Sequence, residues 1–333
     1  MHTVLAAADA RPALAQELGG EHPGDSLLLR TETLPAYLAF ARQAMPDSRE
    51  VAAASINAWA DAIINGLLGT LPEDQPWRLH LWPIYGEGRA GENRCRLIQA
   101  ALIERLKKRR RSLLRCMEES TAPFTPATSL VQAMLTAPDA GLLSLSIAPE
   151  PHALRALVSP FIAGDIPHAE DKSAPSRAFA KVIESELRLG HSIGKGQTCV
   201  DLGASPGSWT YVAIQRGARV TAVDRSPLRD DLMRHPHLHF HQGDAFKFRP
   251  DTPVDWLLCD IIAAPQRSID LLLEWLHARL MRRFIVTIKF KGSEEYGLLT
   301  QLKEQAPPLC ADFRLTRLCA NKNEVCAYGL VTP

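Results

Sequence analysis

The chain has 333 residues, 46% apolar and 23% charged, with a formal net charge of +1. That length allows two or three domains and a sizeable core. The composition excludes a membrane span, since no apolar run is long enough to cross a bilayer, and the near-zero net charge says nothing by itself about nucleic acid. Seven scattered cysteines without a CxxC pair exclude a disulfide frame and read as reduced thiols of a cytoplasmic protein. The N-terminal MHTVLAAADARP lacks a basic start, and Asp9 and Arg11 break its apolar stretch, so no secretory signal is expected.

In chain order, residues 1–50 are Ala- and Leu-rich and predict short helices over 11–18 and 35–45, an N-terminal subdomain. Residues 51–150 predict a long helix over 51–68, an alternating strand over 77–82, a second helix over 93–116, and strands over 129–135 and 141–147. That is a small α+β unit. Its second helix is strongly basic. From Arg94 to Arg115 nine Lys or Arg stand against one acid, Glu104. Arg105, Lys107, Lys108, Arg109, Arg110 and Arg111 are the candidate phosphate contacts, although such a run can also be a solvated helix face. Residues 151–172 hold Pro151, Pro160, Gly164 and Pro167 and read as a linker.

Residues 173–333 change to regular α/β alternation. Helices are expected over 176–189, 209–216 and 268–280. Strands are expected over 197–202, 219–223, 238–241, 254–259, 284–288, 312–318 and 325–331. The expected fold is therefore a Rossmann-like, doubly wound, mainly parallel sheet. Within it, the strand CVDL runs into a loop with Gly203 and Gly207 and then a helix. The glycines permit a tight turn and close approach of a ligand. Gly203, Ser205, Pro206, Gly207, Ser208 and Trp209 form this candidate cofactor loop, which lacks the GxGxxG spacing of a dinucleotide site.

Four acids follow a pattern. Asp201, Asp224 and Asp260 end strands, and Asp244 follows one. Carboxyl ends of parallel strands line one crevice. Carboxylates there suit a cationic, nucleoside-bearing cofactor, and S-adenosylmethionine is such a cofactor. Asp224 is placed for the ribose hydroxyls and Asp244 for adenine. Asp201 or Asp260 would balance the methionine ammonium and the sulfonium. Any one of these acids alone would read as an ordinary turn residue.

DLGASPGSW (201–209) resembles the cofactor loop of FtsJ-like RNA 2'-O-methyltransferases. APSRAFAK (174–181), DAFKFRP (244–250), WLLCD (256–260) and IVTIKF (285–290) are similar to the RlmM type, which methylates a cytidine of 23S rRNA. FARQ (40–43) and WRLHLW (77–82) before the basic helix resemble that family's N-terminal and THUMP-type RNA-binding portions. Ser208 stands where a second Gly is usual and Ala178 where a Ser is usual, and the N-terminal region is shorter than in typical members. The resemblance implies a tetrad of Lys181, Asp260, Lys289 and Glu324. It implies RNA, most specifically 23S rRNA, as partner, with no metal and no membrane.

Chemistry gives these residues roles. A ribose hydroxyl must lose a proton although its pKa lies far above 7, and a lysine can take it only when neutral. Lys289 ends the apolar strand FIVTI and is assigned the proton. Lys181 would hold the 2'-oxygen and lower the Lys289 pKa, while Asp260 and Glu324 orient the ammonium groups. Lys291 is an alternative to Lys289 on the same strand face. Glu324, in NKNEV, reads equally well as a solvated turn carboxylate. The run His235–His241 would place His237, His239 and His241 on one strand face; we read it as a half-exposed strand, not a metal site. Competing functions are methylation of tRNA or of a small hydroxyl compound, and a non-catalytic RNA-binding protein. The oligomeric state stays open.

Overall fold

The computed structural model describes residues 1–7, 9–72, 74–86, 89–119, 125, 127–148, 152–166 and 170–333. Two units divide the chain, Met1–Asp165 and Ile166–Pro333. Of the expected linker, Pro151 and Pro167 lie outside the described residues.

The first unit holds two sheets. β1 (His2–Ala6), β2 (Leu28–Thr31) and β3 (Ala41–Met45) form an antiparallel sheet in the order β2-β1-β3, with α1 (Arg11–Leu18) in the connection between the first two. β4 (Arg49–Ala52), β5 (Trp77–Pro83), β6 (Ser129–Ala137) and β7 (Ala140–Ser146) form the second, in the order β4-β7-β6-β5. Two helices pack on one of its faces. α2 (Ile56–Leu68) starts at Ser55, whose hydroxyl accepts the Ala58 N–H at 3.1 Å, a typical N-cap. α3 (Ala90–Arg109) buries Cys95, Ile98, Leu102 and Leu106. Trp59, Trp77, Ile63 and Val131 complete that core.

Three expectations are corrected here. Residues 35–45 are not a helix, because Gln43 and its neighbours pair with β1 and the Gln43 amide is buried against Ser159 and Phe161. The helix expected from residue 51 begins only after the Ser55 cap, since 49–52 pair with β7. The basic helix is not continuous over 93–116. Arg110 leaves helical geometry at φ −148° and ψ 59°, and a short α4 (Arg111–Arg115) follows. α5 (His152–Leu157) closes the unit.

The second unit is built on seven strands: β8 (Thr198–Leu202), β9 (Arg219–Asp224), β10 (Leu238–Gln242), β11 (Val254–Cys259), β12 (Met281–Lys289), β13 (Cys310–Thr316) and β14 (Glu324–Val331). Their order is β10-β9-β8-β11-β12-β14-β13. The first five run parallel, while β14 pairs antiparallel with both β12 and β13. Helices α6 (Phe179–Leu189), α7 (Ser208–Gln215), α8 (Asp230–Met233), α9 (Pro265–His277) and α10 (Leu299–Gln305) complete it. α6 and α9 begin three residues later and earlier, respectively, than the sequence suggests. The parallel strands are apolar on both faces, with Trp256, Leu257, Leu258, Phe284, Ile285 and Val286 fully buried, as a sheet covered on both sides requires. The chain winds outward from β8 in one direction and from β11 in the other. That junction is the switch point where such sheets open a crevice.

β10 is an edge strand with His239 and His241 exposed, and His237 precedes it. Among the described residues no group of His, Cys, Asp or Glu is arranged to hold a metal, and no helix is long and apolar enough to cross a membrane.

Candidate active site

A cavity of about 350 Å³ opens at the carboxyl ends of β8, β9 and β11. Its floor is the loop after β8. Gly203 takes φ 73°, and its N–H and that of Ala204 donate to the Val223 carbonyl. A Cβ at Gly203 would lie 2.6 Å from Ile261 Cγ1, so only glycine lets the two loops meet. Asp224 Oδ2 accepts the Ser205 N–H at 3.1 Å and Oδ1 accepts that of Ser226 at 2.8 Å, which fixes the loop against the end of β9. The Ser205–Pro206 peptide is cis.

Asp201, Asp224 and Asp260 all line the cavity, together with Gly203, Ser205, Pro206, Ser208, Trp209 and Lys289. Gly207 and Asp244 do not. Gly207 serves the turn into α7 at φ 109°, where a Cβ would collide with Leu232. Asp244 is pinned by the Phe246 N–H at 3.0 Å and by Arg225 at 3.1 Å, and these contacts hold its carboxyl below the usual range, the amide contributing most. Sequence reasoning missed Ser176 and Ile262 in the lining. Ser176 shares a hydrogen bond of 2.7 Å with Ser208, which ties the unusual Ser208 to the segment before α6. The Trp209 indole donates to the Ala178 carbonyl at 2.9 Å, a contact that any residue at 178 supplies.

Asp201 is buried, and its carboxylate accepts the Thr210 hydroxyl at 2.6 Å. Burial raises its pKa to about 7, against the pull of Thr210. Three carboxyl groups in one cavity with a glycine-lined floor fit a ligand that carries positive charge and ribose hydroxyls. S-adenosylmethionine meets both conditions.

Beside this cavity four charges alternate. Glu324 Oε1 lies 2.7 Å from Lys181 Nζ. Lys181 Nζ lies 3.0 Å from Asp260 Oδ1, and the same oxygen lies 3.0 Å from Lys289 Nζ. Lys289 also donates to the Asp260 carbonyl at 2.8 Å. The fold explains the convergence. Lys289 ends β12 and stands directly opposite Glu324, the first residue of β14. Asp260 follows the last residue of β11, the neighbour of β12. Lys181 reaches in from the first turn of α6 and is 6% exposed. Burial by itself lowers the Lys181 pKa, but Asp260 and then Cys326 and Glu324 raise it further, so the net shift is upward and the ammonium is kept. Glu324 is buried, not a solvated turn acid. Lys291 is exposed beyond the strand end.

In the first unit the basic side chains lie differently. Arg105 is partly buried and 3.3 Å from Asp61 of α2, so it is held against the protein. Lys107 pairs with Glu104 at 2.9 Å on the surface. Lys108, Arg109, Arg110 and Arg111 are exposed.

The FtsJ-like methyltransferase model matches residues 174–294. Ribosomal RNA large subunit methyltransferase M of Azoarcus sp. is 35% identical over 167 residues, 47% of this chain and 46% of that protein. The protein of that description from Laribacter hongkongensis is 30% identical over 259 residues, 74% of this chain and 68% of that protein. The chain thus spans about half the length of the Azoarcus relative and about two thirds of the Laribacter one. Among solved structures, a Methanococcus jannaschii fibrillarin pre-rRNA processing protein aligns at 16% identity and a TM-score of 0.33 over 45% of this chain and 74% of that one, too distant to add to the argument.

Proposed function

Because this chain belongs to the ribosomal RNA large subunit methyltransferase M family, we propose that it transfers a methyl group from S-adenosylmethionine to a ribose 2'-hydroxyl of RNA, most specifically a cytidine of 23S rRNA. The observation that carries this reading is the alternation Glu324–Lys181–Asp260–Lys289 at the rim of the carboxylate-lined cavity.

S-adenosylmethionine, when bound, supplies an electrophilic methyl group on a positively charged sulfur. Asp224 offers its free lone pairs to ribose hydroxyls, and Asp201 and Asp260 face the cationic end. Of the two lysines of the tetrad, Lys289 is the one that lines the cavity, so its Nζ, in the neutral form, takes the proton from the acceptor oxygen. Lys181 keeps its positive charge between Asp260 and Glu324 and stabilises the negative charge that grows on that oxygen. Asp260 holds both amines and sets the distance between these two tasks. An aspartate this close would cost stability if either lysine were absent.

The exposed cations Lys108, Arg109, Arg110 and Arg111 support a second part of the reading, contact with RNA phosphates in the first unit. The protein would then need RNA longer than one nucleotide, which separates it from an enzyme acting on a small hydroxyl compound.

The test is incubation of the purified protein with tritiated S-adenosylmethionine and deproteinised rRNA from cells lacking it. Label that precipitates with the large-subunit RNA is expected. Label in tRNA only would move the substrate to another RNA, and no label in any RNA would refute the reading.

A further inference from the structure

Ile262 is 89% exposed, while every other large apolar surface side chain among the described residues is exposed by 58% or less. A scattered surface isoleucine needs no explanation, but this one also lines the cofactor cavity beside Asp260 and Lys289.

The loop that carries it is short and held at both ends. Asp260 is fixed by Lys181 and Lys289 through its carboxylate, and by Lys289 again through its carbonyl. Ile261 packs against Gly203 so closely that no Cβ fits there. Pro265 sets the start of α9 and is buried. Ile261 therefore turns inward to brace the glycine loop, and Ile262 is left projecting at the cavity mouth. An exposed branched aliphatic on a braced loop is a surface made to be covered.

We infer that Ile262 is the platform on which the base of the acceptor nucleotide packs, so that its ribose hydroxyl meets Lys289. The inference rests on the reading above and adds to it a positioning residue for the acceptor. The argument for this occupant is continuity with the site. Ile262 stands two residues from the carboxylate that holds both lysines, on the cavity's solvent side, where the acceptor has to enter. An aliphatic face discriminates by shape and stacking, not by hydrogen bonds, so it would place a base without selecting its Watson–Crick edge.

The test compares wild type, Ile262→Ala and Ile262→Leu for methyl transfer to deproteinised rRNA, for S-adenosylhomocysteine binding by calorimetry, and for thermal midpoint. The expected result for Ile262→Ala is a rise in KM for rRNA of roughly tenfold, the scale on which a few methyl groups act in a pocket. S-adenosylhomocysteine affinity and thermal midpoint should stay unchanged, because an exposed side chain holds up no core. Ile262→Leu should restore most of the loss. An unchanged KM in Ile262→Ala overturns the inference. So does a matching loss of S-adenosylhomocysteine affinity, which would make Ile262 a cover for the cofactor. If wild type itself transfers no methyl to rRNA, the underlying reading fails and this assignment falls with it.

Discussion

The chain carries its important charges in two different ways. In the second unit, Lys181, Asp260 and Glu324 are largely buried, and each lies within 3.0 Å of an opposite charge. In the first unit, Lys108, Arg109, Arg110 and Arg111 project into solvent at the end of α3 and the start of α4. Buried charges tolerate few arrangements, because an unpaired one costs several kcal/mol of desolvation. Exposed charges tolerate many and contribute little to folding. The first set thus defines a geometry, and the second an electrostatic surface whose meaning depends on a partner.

If that contrast is right, the largest effect belongs to Lys289. Lys289→Ala should lower the single-turnover rate of methyl transfer by about 10³-fold, with S-adenosylhomocysteine affinity within twofold of wild type. Next comes Lys181→Ala, which leaves Asp260 and Glu324 buried beside one fewer cation. Urea denaturation should show a loss of about 3 kcal/mol, in addition to lost activity. An unchanged urea midpoint would mean that the network is solvated and that the contrast fails.

Asp201 gives a pH signature. Its folded-state pKa is raised to about 7 from an ordinary 3.8. Between those values the unfolded chain releases a proton that the folded one keeps, so this group's contribution to stability is full below about pH 4 and is lost as pH rises through 7. Asp201→Asn should therefore gain on wild type across that window, by on the order of 4 kcal/mol. A wild-type and variant difference that stays flat in urea titrations from pH 4 to 8 would contradict the burial account. The smallest effect on the fold, and a clear one on binding, is expected on the surface helix. Charge reversal at Lys108, Arg109 and Arg110 should weaken rRNA binding about tenfold and flatten its salt dependence, while stability stays within about 0.5 kcal/mol.

How much of this the sequence discloses follows the same division. All seven strands of the second unit are legible, because apolar runs such as FIVTI and WLLC are bounded by turns and alternate with helices. The acids after those strands and the glycine loop between β8 and α7 are legible for the same reason. What escapes is whatever depends on a third element. Asp244 has the same sequence signal as Asp224, yet Arg225 and the Phe246 amide hold it away from the cavity lining. Ile262 carries no local signal at all, and Ser176 none beyond its place in APSRAFAK. The first unit is harder still. β3 reads ARQAM, whose alanines and Gln43 suggest a helix surface. Its pairing with β1, together with the long-range bonds between the Gln43 amide and Ser159 and Phe161, makes a strand of it. The break at Arg110 is equally invisible in a run of good helix formers.

The central claim is that the ion-paired tetrad acts on a ribose oxygen, and the position of the transferred methyl tests it most directly. Labelled rRNA from the methylation reaction would be hydrolysed with alkali, which needs a free 2'-hydroxyl to cut the chain. The account predicts that the label survives in an alkali-resistant dinucleotide. Label recovered entirely in mononucleotides would place the methyl on a base and contradict it.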